Sequence, residues 1–146
     1  MVGNDYGMDP YTGRMDAFNG LYLKGDGKGN FQPLPLAQSG FYVPGDAKAL
    51  TKIHDAKGEE LYLATQNQDS LMVYAKTVNS TNNKWIDLQP EDFSGDISYK
   101  DGSKRHVEFY YGSTYLSQSS RKLELTDDMN HVVITDFKGA KKEIKK

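Results

Sequence analysis

The chain contains no cysteine. That absence excludes a disulfide framework, an iron–sulfur cluster, thiolate zinc and a cysteine nucleophile together. Long apolar runs are also missing: nothing approaches the roughly 18 consecutive apolar residues that a membrane-spanning helix needs. The first residues, Met-Val-Gly-Asn-Asp-Tyr-Gly, have neither the basic start nor the apolar stretch of a secretory signal. Arginine is scarce. Only Arg14, Arg105 and Arg121 occur, and 18 basic groups face 20 acidic ones, so no phosphate-binding field is built into the composition and nucleic acid is not an expected partner.

Helical periodicity is the next shortage. Few windows keep apolar residues at the three- and four-residue spacing of a buried helix face, whereas short alternating stretches bounded by Gly, Asp and Asn recur along the chain. An all-β fold is predicted. The expected strands are 20–24 (GLYLK), 49–54, 60–65 (ELYLAT), 70–76 (SLMVYAK), 96–100, 105–111 (RHVEFYY), 121–125 and 131–137 (HVVITDF). The pairs Asp26-Gly27, Lys57-Gly58, Asp101-Gly102 and Lys138-Gly139 suit tight two-residue loops, so their flanks should pair antiparallel. The hairpins at 96–111 and 131–144, together with Arg121 to Leu125, are expected to form one compact sheet.

Residues 77–84 (TVNSTNNK) hold one apolar residue and the Asn/Ser/Thr enrichment of a connection. They predict a linker between a four-stranded unit at 1–76 and a second module at 85–146. Charge divides near the same place, with 8 basic and 12 acidic residues before position 96 and 10 against 8 after it. The lysines at 141, 142, 145 and 146 make the difference and read as the charged protection of an edge strand.

Two stretches resemble known families. VGNDYG, GRMDAFNGLYLKGDGKGNF, SGFYVPGDAKALTKI and ELYLATQNQDSLMVY, over residues 1–76, resemble the closing part of an FG-GAP (VCBS-type) β-propeller. Residues 96–137, through VEFYYGSTYLSQSSRKLEL and especially Gly112, Tyr115, Leu116, Ser117, Gln118, Ser119 and Arg121, resemble the ASPIC/UnbV-type module that often follows such a propeller. The resemblance implies a propeller-blade-like antiparallel sheet followed by a small β-sandwich-like module. It also implies an extracytoplasmic bacterial protein, in the periplasm, on the outer membrane or secreted, with no established catalysis. A single blade's worth of sequence further suggests a piece of a longer parent, whose remaining blades would be one partner.

The residues offer little chemistry. Calcium needs six to eight oxygens, and the family's DxDxDG loop is replaced by Asp26-Gly27-Lys28-Gly29-Asn30. A plain hairpin turn is the expectation there, and a calcium site would have to draw on Asp5, Asp9 and Asp16. His54, His106 and His131 lack metal-ligand spacing, although His106 and His131 would be able to face each other across a sheet. Ser113, Ser117, Ser119 and Ser120 have no nucleophile elbow. Glu59-Glu60 and Glu91-Asp92 are adjacent pairs that diverge on a strand and read as ordinary surface charge.

What remains is aromatic surface: ten Tyr, six Phe and one Trp. A ring gives apolar contact with a hydroxyl at its edge at little entropic cost. Tyr42 and Tyr115, with Gln118 and Arg121 that the ASPIC/UnbV-like resemblance adds, are the candidate binding residues, for a glycan or a protein ligand. The expected function is a non-catalytic binding or assembly module without a resident cofactor. The alternative is an accessory domain of a carbohydrate-active enzyme whose active site lies in absent blades.

Overall fold

The computed structural model describes residues 1–76 and 84–145. The fold is all-β: among the described residues there are eleven strands and one helical turn, every strand pairs antiparallel and no sheet closes into a barrel. The chain forms two compact units, Met1–Thr77 with Gly112–Ser119, and Val78–Tyr111 with Ser120–Lys146. The expected linker at 77–84 falls largely outside the described residues; Lys84 opens a strand. The expected module at 85–146 is not one unit, because Gly112–Ser119 groups with the first.

In the first unit, β1 (Tyr22–Gly25) pairs with β2 (Phe31–Leu34), and β3 (Ala47–His54), β4 (Glu60–Gln66) and β5 (Met72–Ala75) form a meander. A three-stranded sheet and a separate ribbon thus replace the expected four-stranded unit. The reason is local. The short Asp26–Asn30 connection turns β1 back onto β2, and Pro35, the turn α1 (Leu36–Ser39) and Pro44-Gly45 then intervene before β3. One face of the meander carries Leu50, Ala64, Met72 and Tyr74, which pack with Phe41, Val43, Ala47 and Val2 into a core. The N-terminal segment is bound by Asn4. Its buried side chain donates to the Gly45 carbonyl at 3.0 Å and accepts from the Ala17 amide at 2.9 Å, joining two otherwise separate loops.

In the second unit, β7 (Asp92–Tyr99), β8 (Lys104–Glu108), β10 (Met129–Asp136) and β11 (Lys141–Lys145) form a sheet in the order β11-β10-β7-β8. The strand β9 (Lys122–Leu125) does not join it. It pairs with β6 (Lys84–Asp87), which is too short and too charged at its ends to be read in the sequence. The ribbon supplies Leu123, Leu125 and Ile86 and the sheet supplies Ile97, Val132 and Ile134 to one core, a two-layered arrangement. Each of these side chains contributes roughly 1.5–3 kcal/mol on burial. The Phe109 ring lies over Gly95, where a Cβ would come within 2.9 Å of it.

The hairpin loops are longer than the two residues expected, and three of them follow one rule. Asp26-Gly27-Lys28-Gly29-Asn30, Asp55-Ala56-Lys57-Gly58-Glu59 and Asp136-Phe137-Lys138-Gly139-Ala140 each close by a backbone bond from the Asp amide to the carbonyl four residues on, at 3.0–3.1 Å. In each, Asp Oδ1 accepts the amides two and four residues ahead, at 2.7–3.1 Å. The fourth residue is a glycine at φ 92°, 82° and 85°. This is the three-residue loop with a left-handed last position, and the aspartate fills the donors that the turn leaves open. Asp136→Ala is expected to cost about 1–2 kcal/mol in urea unfolding.

Candidate functional site

The segment Gly112–Ser119 (GSTYLSQS) builds the most distinctive surface feature. Thr114 and Ser117 exchange backbone bonds at 3.2–3.3 Å, and their hydroxyls bond each other, leaving Tyr115 and Leu116 at the tip of a tight turn. The base is tied down by polar side chains. Gln118 accepts the Gly112 amide and donates to the Ser119 carbonyl, and the Ser119 amide donates to Ser113 Oγ at 3.0 Å. Ser119 Oγ in turn accepts the Lys52 amide at 3.1 Å and bonds Thr51 Oγ1 at 3.2 Å, fixing the loop to β3.

The frame is satisfied and the tip is not buried. Tyr115 is 65% exposed and Leu116 89%. Leu116 also sits at φ 46°, the left-handed region that a branched side chain enters only at a cost of roughly 1–2 kcal/mol. Sequence reasoning named Tyr115 and Gln118 as binding residues and gave Leu116 no role beyond the family pattern; the structure puts Tyr115 at the tip and Gln118 in the base. Its signal was a lone aliphatic residue inside a Ser/Thr-rich stretch.

The other expected binding residues are placed differently. Tyr42 belongs to the first unit, between buried Phe41 and Val43, and its carbonyl accepts the Tyr74 hydroxyl. Arg121 belongs to the second unit and is committed internally. Its guanidinium donates to the carbonyls of Phe109 at 2.7 Å, Asp92 at 2.6 Å and Gln89 at 3.0 Å, and lies 4.0 Å from the Tyr111 ring centre. The geometry makes it a clamp on the backbone rather than a reader of ligand.

The carboxylates expected at a calcium site do not converge. Asp5 accepts the Gly7 amide and pairs with Lys48 at 3.0 Å, Asp9 accepts the Tyr11 amide at 2.8 Å, and Asp16 accepts the Tyr6 hydroxyl at 3.0 Å. Among the described residues no three His, Asp or Glu side chains form a metal set. At Asp26 the carboxylate is filled by the Asn30 side chain and by loop amides, which hold it below the usual carboxylate range. His106 and His131 do share one sheet face, but β7 runs between them. His106 pairs with Asp96 at 2.7 Å and His131 stands 3.5 Å from Glu143.

Two charged clusters went unread in the sequence. Buried Asp46 meets Lys48 at 2.7 Å; that ammonium, with the Asn67 amide, keeps Asp46 below its ordinary value and is itself pushed up by Asp46 and Asp5. Glu60 and Asp92, expected as surface charge, are instead buried: Glu60 is enclosed by Lys76, Lys52 and Tyr62, and Asp92 accepts the Gln89 amide at 2.8 Å. Both clusters are ion networks at the meander strands β3 and β4. The hydroxyls of Ser113, Ser117 and Ser119 bond backbone amides or other hydroxyls, so the loop offers a ring, an aliphatic side chain and a polar rim. The chain matches no family model, no curated protein and no solved structure.

Proposed function

We propose that the chain is a non-catalytic, extracytoplasmic binding or assembly module that recognises a glycan or a protein partner through the Tyr115–Leu116 turn. The observation that carries this reading is Leu116: an aliphatic side chain held out in water, on a backbone angle it disfavours, by a hydrogen-bonded frame. Folding gains nothing from that arrangement. A partner that covers the tip gains about 25 cal/mol for each Å² of apolar surface removed from water, and the strain is then one of the costs that stored geometry at binding loops commonly carries. The bacterial surface setting rests on the FG-GAP and ASPIC/UnbV resemblance of VGNDYG and YLSQSSR.

The test is thermal unfolding against bacterial and host oligosaccharides, with Leu116→Gly and Tyr115→Ala beside the unsubstituted chain. A ligand at about 100 times its dissociation constant adds about 2.7 kcal/mol. Leu116→Gly is expected to raise the unliganded stability by about 0.5–1 kcal/mol while losing most of the ligand shift. Tyr115→Ala should leave the unliganded midpoint within about 1 °C and lose the shift as well. A Leu116→Gly variant less stable than its parent removes the strain premise. A ligand whose shift survives both substitutions places recognition elsewhere.

A further inference from the structure

The edges of the sheets are not alike. Strand edges with open backbone groups invite pairing with another chain, and proteins blunt them with charge, proline or cover. Among the described residues, β11 carries Lys141, Lys142 and Lys145, β8 carries Lys104 and Arg105, and β6 and β9 carry Lys84, Asp87 and Lys122. In the β1–β2 ribbon the residues are Lys24 and Pro33. The outer edge of β3 holds Lys48 and Lys52 and meets Ser119. Among the described edges only β5 has none of these devices: from Leu71 to Ala75 the edge reads Leu-Met-Val-Tyr-Ala.

Its side chains also continue an apolar sheet face. The register sets Val73 beside Leu63 and Ala75 beside Leu61, and Ile53 lies beyond Leu61. On this face Val73 and Leu71 are each 54% exposed. The opposite face of β5, with Met72 and Tyr74, is already part of the core.

We propose that β5 pairs antiparallel with β5 of a second copy of this chain, about a two-fold axis through Val73, joining two meanders into one six-stranded sheet. The sequence is self-complementary under that operation. Val73 meets Val73, Leu71 meets Ala75, and Met72 meets Tyr74, so every cross-strand pair within the edge is apolar, and no like charges oppose each other. At the ends Lys76, already paired with Glu60, comes beside the uncharged Ser70, so no like charges meet there either. A foreign strand would need to match both faces and both ends by its own sequence; a second copy does so by symmetry. Five paired residues from each copy make a small interface, so the association belongs to the weak, concentration-dependent class.

Sedimentation equilibrium of the full chain from about 10 µM to 1 mM spans that class. The average mass is expected to rise from 16.4 kDa toward twice that value, while Val73→Lys stays at the monomer mass with an unchanged circular dichroism spectrum. Because the chain has no cysteine, Val73→Cys adds a unique reporter. Facing Cα atoms in an antiparallel pair lie about 4.5–5.5 Å apart, within disulfide reach. Mild oxidation should cross-link Val73→Cys at least about tenfold faster than the more exposed Leu116→Cys. A monomer at every concentration, a dimer that Val73→Lys leaves intact, or equal cross-linking of the two cysteine variants overturns the proposal; a monomer would leave this edge to a strand of another protein.

Discussion

Arg121→Met is expected to destabilise the second unit by about 3 kcal/mol, among the largest effects of any single substitution. The methionine keeps much of the aliphatic stem and loses the guanidinium fork, which holds the carbonyls of Phe109, Asp92 and Gln89. These three acceptors come from the end of β8, the start of β7 and the turn before it, so one side chain closes the sheet end where regular pairing stops. Hydrogen bonds from a charged donor contribute about 1.5–3 kcal/mol each, and acceptors left unpaired in partly buried positions add to the loss. Arg121→Lys separates charge from geometry, because a lysine keeps the cation without the planar fork. It should recover less than half of the loss. The acceptors are carbonyls and not carboxylates, so the penalty should change little between low salt and about 0.5 M. Urea midpoints of the three proteins decide it. A Met variant within 1 kcal/mol of its parent, or a Lys variant equal to it, shows that the clamp is dispensable.

The same residue marks the limit of what a sequence read residue by residue conveys. Arg121 stands in a motif with Tyr115 and Gln118, and a cation beside a tyrosine-bearing loop reads as part of a ligand site. Its partners are backbone atoms 12 to 32 positions away, which composition and spacing do not encode. Asn4 escaped for the same reason: an ordinary loop asparagine becomes a buried hub because loops 17–18 and 44–45 arrive around it.

Local patterns carried much further. HVVITDF alternates, and its Val132 and Ile134 are inward on β10; ELYLAT and LMVYA became neighbouring strands of one meander. All four glycine turns made hairpins. The loop length was misjudged because Xaa-Gly pairs were taken as two-residue turns, whereas in three of the four an aspartate three positions before a left-handed glycine (Gly29, Gly58, Gly139) sets a longer loop. Strand β2 was implied only as the far flank of Asp26-Gly27 and given no bounds; Pro33 is tolerated in it because the ribbon leaves it an edge strand. The assignment of β9 to the wrong partner is a question of long-range register: Leu123 and Leu125 announce a buried face without saying which strand lies alongside.

Glu60 gives the largest expected pH effect. Its side chain is only 6% exposed at the head of β4, with Lys76 Nζ 2.6 Å from one oxygen, Lys52 Nζ 3.0 Å from the other, and the Tyr62 hydroxyl donating at 2.6 Å. Burial alone would raise the carboxyl. The hydrogen bonds from Lys76, Tyr62 and Lys52 outweigh it and carry the value from 4.5 down to about 2. The folded carboxyl is therefore the stronger acid, and the unfolded chain takes up the proton first. Stability from this group is fully present above about pH 5 and drains away as pH falls through the ordinary glutamate range toward 2. The full shift corresponds to about 3 kcal/mol; because both lysines are partly exposed and screened by solvent, about 2 kcal/mol is expected. Glu60→Gln should cost about that much at pH 7, where two ammonium groups lose their counter-charge. The gap between the two proteins should close as pH drops from about 5 to 2.5, since protonation does to the parent what the substitution has already done. Taking the difference between the two curves cancels the contribution of the other depressed carboxylates, Asp26, Asp46 and Asp101. Parallel curves across that range would mean that Glu60 titrates alike in folded and unfolded chains, and that the three-strand ion cluster adds nothing to the stability of the meander.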